Sequence, residues 1–214
     1  MALAFNFSIE NIHYNYTFYV HLQHKRTKKR TYRPPIMRYS LRLTPKNTCF
    51  LLTVITAVTL LPFLGEALFY SKGEPREAIV AVSMLNSGDW ILPESNGEDI
   101  PYKPPFMAWC IALISLLTGH VTEYTSRLPS ALALIGMIVW FYEFFRRRTN
   151  WAHAFIGGLV TLTAFEVYRA GFACRVDMLL TFFIVGAIFA LYTYWERGMK
   201  GFPWLAVLMM GGGT

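Results

Sequence analysis

Beyond residue 48 the chain alternates long apolar runs with short polar breaks, and most of these runs approach the length of a bilayer crossing. The first, about residues 49–69, holds one charge, Glu66. Runs at about 128–145, 151–173 and 178–195 have the same character. A fifth begins at about 202 and stops in a Gly-rich end at 214, so the chain reads as truncated inside a hydrophobic segment. The pattern predicts an all-α fold, a polytopic transmembrane helical bundle.

One apolar run does not fit that length. Residues 106–118 are uncharged, but at about 1.5 Å per residue they reach only about 20 Å, short of the roughly 30 Å hydrocarbon core. The positive-inside rule decides their placement. Lys46 and the basic arm before the first span put the N-terminus in the cytoplasm, and Arg146-Arg147-Arg148 puts the end of the 128–145 run there too. Both hold only if 106–118 does not cross and is an interfacial or re-entrant helix on the external face. Residues 70–127 then form an external loop carrying two interfacial helices, at 76–85 and 106–118. The first is amphipathic, with Ala78, Ile79, Val82 and Leu85 at helical spacing and Pro75 suited to its first turn. Residues 196–200 form a second basic inner loop.

Composition agrees: 54% of residues are hydrophobic and only 15% charged, too few charges for a soluble domain. The net charge of +7 is concentrated in residues 1–48, whose nine Lys or Arg face one acid, Glu10. A basic run before a hydrophobic span is a topology signal more often than a nucleic-acid arm, so no nucleic acid is expected as partner. This basic cytoplasmic arm, residues 1–48, precedes a membrane module at 49–214. Met37 is an equally economical start, with the residues before it a non-native extension. Cys49, Cys110 and Cys174 follow no metal or disulfide spacing and read as small buried hydrophobes.

Three polar clusters converge on the external face: Gly73-Glu74-Pro75-Arg76-Glu77, Tyr102-Lys103-Pro104-Pro105 and Arg175-Val176-Asp177. Glu74 stands at a helix N-terminus, where it complements the dipole or does chemistry. Lys103, fixed by the prolines at the mouth of a short apolar helix, is placed for a phosphate or as a snorkelling anchor. Glu166 and Arg169, one turn apart, read as a satisfied pair facing the bundle interior.

The order of Gly73-Glu74-Pro75-Arg76, Asn86-Ser87-Gly88-Asp89-Trp90, Asn96-Gly97, Pro101-Tyr102-Lys103-Pro104-Pro105, Arg127-Leu128-Pro129-Ser130 and Val176-Asp177-Met178 resembles the polyprenyl-phosphate-dependent membrane glycosyltransferases. These include the protein O-mannosyltransferases and the lipid A aminoarabinose transferases, and the resemblance covers about residues 49–210. It implies a C-type glycosyltransferase fold and inverting sugar transfer from a polyprenyl-phosphate donor to a lipid or protein acceptor. The expected setting is the periplasmic face of a bacterial inner membrane, with membrane lipids as surroundings. It also implies roles: Glu74 as catalytic base with Asp177 as a second acid, and Lys103, with Arg76 and Tyr102, at the donor phosphate. The family usually has Asp where this chain has Gly73, so Glu74 acts alone or another acid substitutes. Many members place a Glu, in some a metal ligand, just before the motif lysine. Here Glu98 and Asp99 are the acids left to hold a divalent metal, and no other cofactor is implied. The competing reading is a non-catalytic small multi-span protein or a decayed fragment. A secondary transporter predicts internal repeats, and none is present.

Overall fold

The computed structural model describes residues 44–70, 73–95 and 103–212, all within the second of two compact units, Leu43–Thr214. Among them the secondary structure is helical: α1 (Pro45–Leu60, continued by a 3-10 turn to Phe63), α2 (Gly73–Ser87), α3 (Phe106–Thr118), α4 (Glu123–Arg146), α5 (Trp151–Thr163), α6 (Phe165–Phe172), α7 (Val176–Glu196) and α8 (Trp204–Gly212). Pro45–Phe63, Glu123–Arg146 and Val176–Glu196 are long and apolar enough to cross a membrane, and α3 and α5 are shorter apolar helices. The chain is an all-α membrane bundle.

Local chemistry sets the helix starts. Thr44 accepts from Asn47 N–H at 3.3 Å with Pro45 in the first turn, so α1 begins four residues before the apolar run. Thr122 and Thr125 form a reciprocal capping box that starts α4 at Glu123, ahead of the expected 128. Asn150 caps α5 through His153 N–H.

α4 is the axis of the bundle: α1, α3, α5, α6 and α7 all pack against it. Its buried face supplies Leu134, Met137, Ile138 and Tyr142 to a core shared with Leu52 and Leu60 of α1 and Leu162 of α5. The Tyr142 hydroxyl lies 2.5 Å from Thr48 Oγ1 and donates to the Pro45 carbonyl at 2.8 Å, satisfying the buried polar end of that interface. A second core forms where α2 lies on α3: Val80, Ala81 and Met84 meet Met107, Ala108, Ile111 and Ala112, with Cys174 beneath. Of the other cysteines, Cys49 and Cys110 are half-buried, and all three are free thiols.

Three expectations need correction. The first span, expected to continue to 69, ends at Phe63, because the carbonyls of Leu64, Ala67 and Leu68 turn away to bind Arg127. The run at 151–173 is two helices, broken by extended backbone at Ala164 (φ −63°, ψ 119°). The break re-aims α6, so that Tyr168 donates to the Thr59 carbonyl at 2.8 Å and Gly171 abuts Leu134. Hydropathy does not register one changed ψ angle. Lastly, Arg169 does pair with Glu166 at 2.6 Å, but both side chains are exposed, 54% and 71%, rather than facing the interior.

The contact at Gly171 is testable. A Cβ there meets Leu134 Cδ2 at 2.4 Å and Leu134 Cβ at 3.0 Å, and a rotamer change relieves only the first. Gly171→Ala should destabilise the bundle by about 1–3 kcal/mol, as overpacking does. Thermal unfolding in detergent checks this, with Gly211→Ala, which meets nothing within 4 Å, as the control.

Candidate functional site

Glu74 and Glu77 share one face of α2, a turn apart, and both are buried, at 2% and 6% exposure. Their surroundings differ completely. Glu74 is held by three donors: Tyr70 N–H at 2.7 Å on one oxygen, and Cys174 N–H at 3.1 Å and Arg127 Nε–H at 3.3 Å on the other. Burial pushes its carboxyl up, but the Cys174 and Tyr70 amides and Arg127 outweigh that, and the group sits below its ordinary range.

Arg127 is fully buried. Besides Glu74, it donates to the carbonyls of Leu64 at 2.8 Å, Ala67 at 2.6 Å and Leu68 at 3.0 Å. The rings of Phe69, Tyr70 and Phe172 surround it at 5.4–5.8 Å. The pair Glu74–Arg127 therefore joins α2 and α4, the chain leaving α1, and the turn before α7.

Glu77 has no such cradle. Its partner is Lys103, whose Nζ stands 3.7 Å from Oε1, and whose side chain is 32% exposed. Burial raises the Glu77 carboxyl above its usual range; Lys103 and Arg76 pull it back in part, and Asp177 adds to the rise. Asp177, in the first turn of α7, pairs with Arg175 at 3.0 Å with both side chains half in solvent. The Cys174 thiol beneath is pushed far up by burial and by Glu77 and Glu74, so it stays protonated.

Lys103 also guards an opening. Together with Phe106, Met107, Val176, Leu179 and Leu180 it lines a mostly apolar cavity of about 250 Å³ between α3 and α7. A cation at the mouth of an apolar slot suits a phosphate attached to a hydrocarbon chain. The loop before α3 is fixed by its own motif. Gly88 at φ 75° ends α2, Asp89 Oδ1 accepts from Ile91 and Leu92 N–H at 3.0 Å each, and Trp109 Nε1–H donates to the Trp90 carbonyl at 2.7 Å.

Of the residues singled out in the sequence, Glu74, Asp177, Lys103 and Arg76 belong to this one region. Tyr102, Glu98 and Asp99 lie outside the described residues. Among the described residues no group of three or more His, Cys, Asp or Glu side chains is placed to hold a metal ion. Sequence reading missed Glu77 and Arg127 as site residues. Spacing of three from Glu74 was the available signal for Glu77, whereas nothing in the pattern marks Arg127 as buried.

Residues 102–214 match the family described as dolichyl-phosphate-mannose-protein mannosyltransferase. The chain is 29% identical over 143 residues to the undecaprenyl phosphate-alpha-4-amino-4-deoxy-L-arabinose arabinosyl transferase of Aeromonas salmonicida, covering 65% of this chain and 25% of that one. It is 31% identical over 135 residues to the protein of that name from Shewanella sediminis, covering 62% and 24%. An uncharacterized protein of Aquifex aeolicus shares 29% over 161 residues, 74% of this chain and 32% of that one. The chain thus spans about a quarter to a third of the length of these relatives. No solved structure matches.

Loss of Arg127 leaves a buried carboxylate and three backbone carbonyls short of donors. Arg127→Met should cost about 3–5 kcal/mol, read from thermal or denaturant unfolding in detergent. Because the Glu74 carboxyl is lowered in the folded state, its stabilisation is present above its ordinary pKa and is lost as pH falls through the lowered value. Glu74→Gln should therefore flatten that acid limb of the stability profile.

Proposed function

Since the chain belongs to the dolichyl-phosphate-mannose-protein mannosyltransferase family, we propose that it forms the donor-binding part of a glycosyltransferase. This enzyme moves a sugar from a polyprenyl-phosphate carrier to a lipid or protein acceptor on the external face of the membrane. The bacterial sources of the relatives, with the name undecaprenyl phosphate in several, favour a bacterial inner membrane with a periplasmic site. The observation that carries the reading is the buried Glu77 carboxylate facing Lys103 at the mouth of an apolar cavity.

In this reading the first isoprene units enter the cavity and the donor phosphate meets Lys103. The acceptor hydroxyl oxygen bonds to the anomeric carbon on the face away from the phosphate. The bond from that carbon to the phosphate oxygen breaks, and its electron pair leaves on phosphate, where the Lys103 ammonium receives the charge. The hydroxyl proton passes to Glu77, and configuration inverts. Glu77 serves better than Glu74 as base, because Glu74 already accepts three hydrogen bonds and is held below its ordinary range, while Glu77 is raised. When the phosphate engages Lys103, Glu77 loses part of its counter-charge and becomes more basic as the donor arrives. Arg76 and Asp177 complete the polar rim, and Glu74 positions α2.

Undecaprenyl phosphate titrated into the purified chain in detergent should bind, and Lys103→Met should weaken it by about tenfold or more; equal affinity overturns the donor site. In membranes that support transfer, Glu77→Gln should lower kcat by about 10²–10⁴-fold without loss of folded protein. The acid limb of the rate should lie above the ordinary carboxylate range, activity falling as pH drops through the raised Glu77 value. A limb at the ordinary value, unchanged in Glu77→Gln, returns the role to another acid, Glu74 or Asp177.

Topology is checked separately. A cysteine at exposed Glu94 should react with an impermeant thiol reagent in intact spheroplasts, while one at exposed Thr149 should react only after lysis. The reverse pattern inverts the bundle.

A further inference from the structure

α7 begins beside the donor site and ends, after 21 residues or about 30 Å, at a second cavity of about 650 Å³. Arg147, Arg148, Arg197 and Lys200 line it, with Phe144 and Trp204 among its aromatic walls. We infer that this cavity is a binding site for the phosphate headgroup of an anionic membrane lipid.

The charges are unevenly matched. The acids of the wall are already engaged: Glu143 by Arg146 at 2.5 Å and Arg147 at 3.7 Å, and Glu196 by Arg148. Arg148 is further fixed by the Phe144 carbonyl at 2.7 Å and lies 3.6 Å over the Phe144 ring. Arg197 and Lys200 have no acidic partner among the described residues, yet they belong to the same cavity. Cations left over beside neutralised pairs, in a space of ligand size, attract an anion.

The loop that carries them is built. Gly198, Met199 and Gly201 all have positive φ, 73°, 54° and 80°, and for Met199 that conformation is unfavourable. It is held because the Tyr194 hydroxyl lies 2.8 Å from the Met199 carbonyl and 2.7 Å from the Gly201 carbonyl and shares its proton between them. Tyr194 lines the cavity as well, so the pin and the cations are parts of one wall.

A lipid headgroup fits better than a free anion because the cavity lies at the end of membrane-crossing helices and mixes cations with Phe202 and Trp204, residues of the interfacial kind. The site is independent of Glu77 and Lys103, at the other end of α7.

Native mass spectrometry of the purified chain in detergent tests the proposal, with phosphatidylglycerol and phosphatidylcholine as probes. Phosphatidylglycerol should be retained at least tenfold more strongly. The double variant Arg197→Gln/Lys200→Gln should weaken it about 30-fold, the change that about 1 kcal/mol for each cation produces. Tyr194→Phe, which keeps every charge but frees the loop, should also weaken it, whereas Lys46→Gln, a surface cation outside the cavity, should not. Lys103→Met should leave it unchanged, so failure here and failure of the donor site are told apart. Equal retention of the two lipids, or an equal effect of Lys46→Gln and the double variant, overturns the proposal. So does full retention in Tyr194→Phe, or displacement of the lipid by inorganic phosphate at millimolar concentration.

Discussion

A guanidinium with no access to water must find its acceptors within the protein, and Arg127 finds them in backbone that no helix uses. The carbonyls of Leu64, Ala67 and Leu68 belong to the stretch where the first span has ended, and such orphan acceptors are costly when buried. Arg127 satisfies them, and Glu74 balances its charge. Each partner is expensive alone, so the chain after α1, the start of α2 and the top of α4 are fixed together or not at all. The Cys174 amide on Glu74 extends the same constraint to the turn before α7. The segments that carry Glu74, Glu77 and Asp177 are thus referenced to one buried ion pair.

That arrangement separates two carboxylates that the sequence presents as near equals. They are three residues apart on one helix face, both with little exposure, and their titration moves in opposite directions. Backbone amides and an immobile arginine hold Glu74 ionised. Glu77 is desolvated with one flexible ammonium for company. Paired acids pushed apart in this way take different roles: the stabilised one suits structure, the destabilised one suits proton transfer.

Much of the fold was legible in the pattern of the chain. The uncharged run at 106–118 is α3 residue for residue, and the Ser-Gly-Asp-Trp motif folds as the turn its residues specify. Composition fixed the membrane class. What escaped detection depends on contacts distant in sequence. The end of α1 at Phe63 is set by an arginine some sixty residues later, and the break at Ala164 by where Tyr168 and Gly171 must land. The site was half visible for the same reason. Motif order gathers Glu74, Lys103 and Asp177 into one region, but only the three-dimensional partners of Glu74 reveal that its oxygens are taken. Arg127 belongs to the Arg127-Leu128-Pro129-Ser130 motif, but burial of its whole side chain has no one-dimensional signature.

The choice of cation follows the same division. Arg127 offers a planar fork whose N–H groups point at fixed carbonyls, and such a group, once seated, does not move. Lys103 offers a point charge on a flexible stem, 3.7 Å from Glu77 and one-third exposed, with an apolar cavity beside it. A permanent pair needs the first kind of cation. A pair that must open to admit a phosphate needs the second, because the ammonium can turn toward a new anion without breaking a bidentate contact. The looseness of Glu77–Lys103 beside the closure of Glu74–Arg127 therefore fits the proposed site for a charged, lipid-borne leaving group. One ion pair holds the frame, and in the proposed reaction the other is weak enough for the donor phosphate to compete with it.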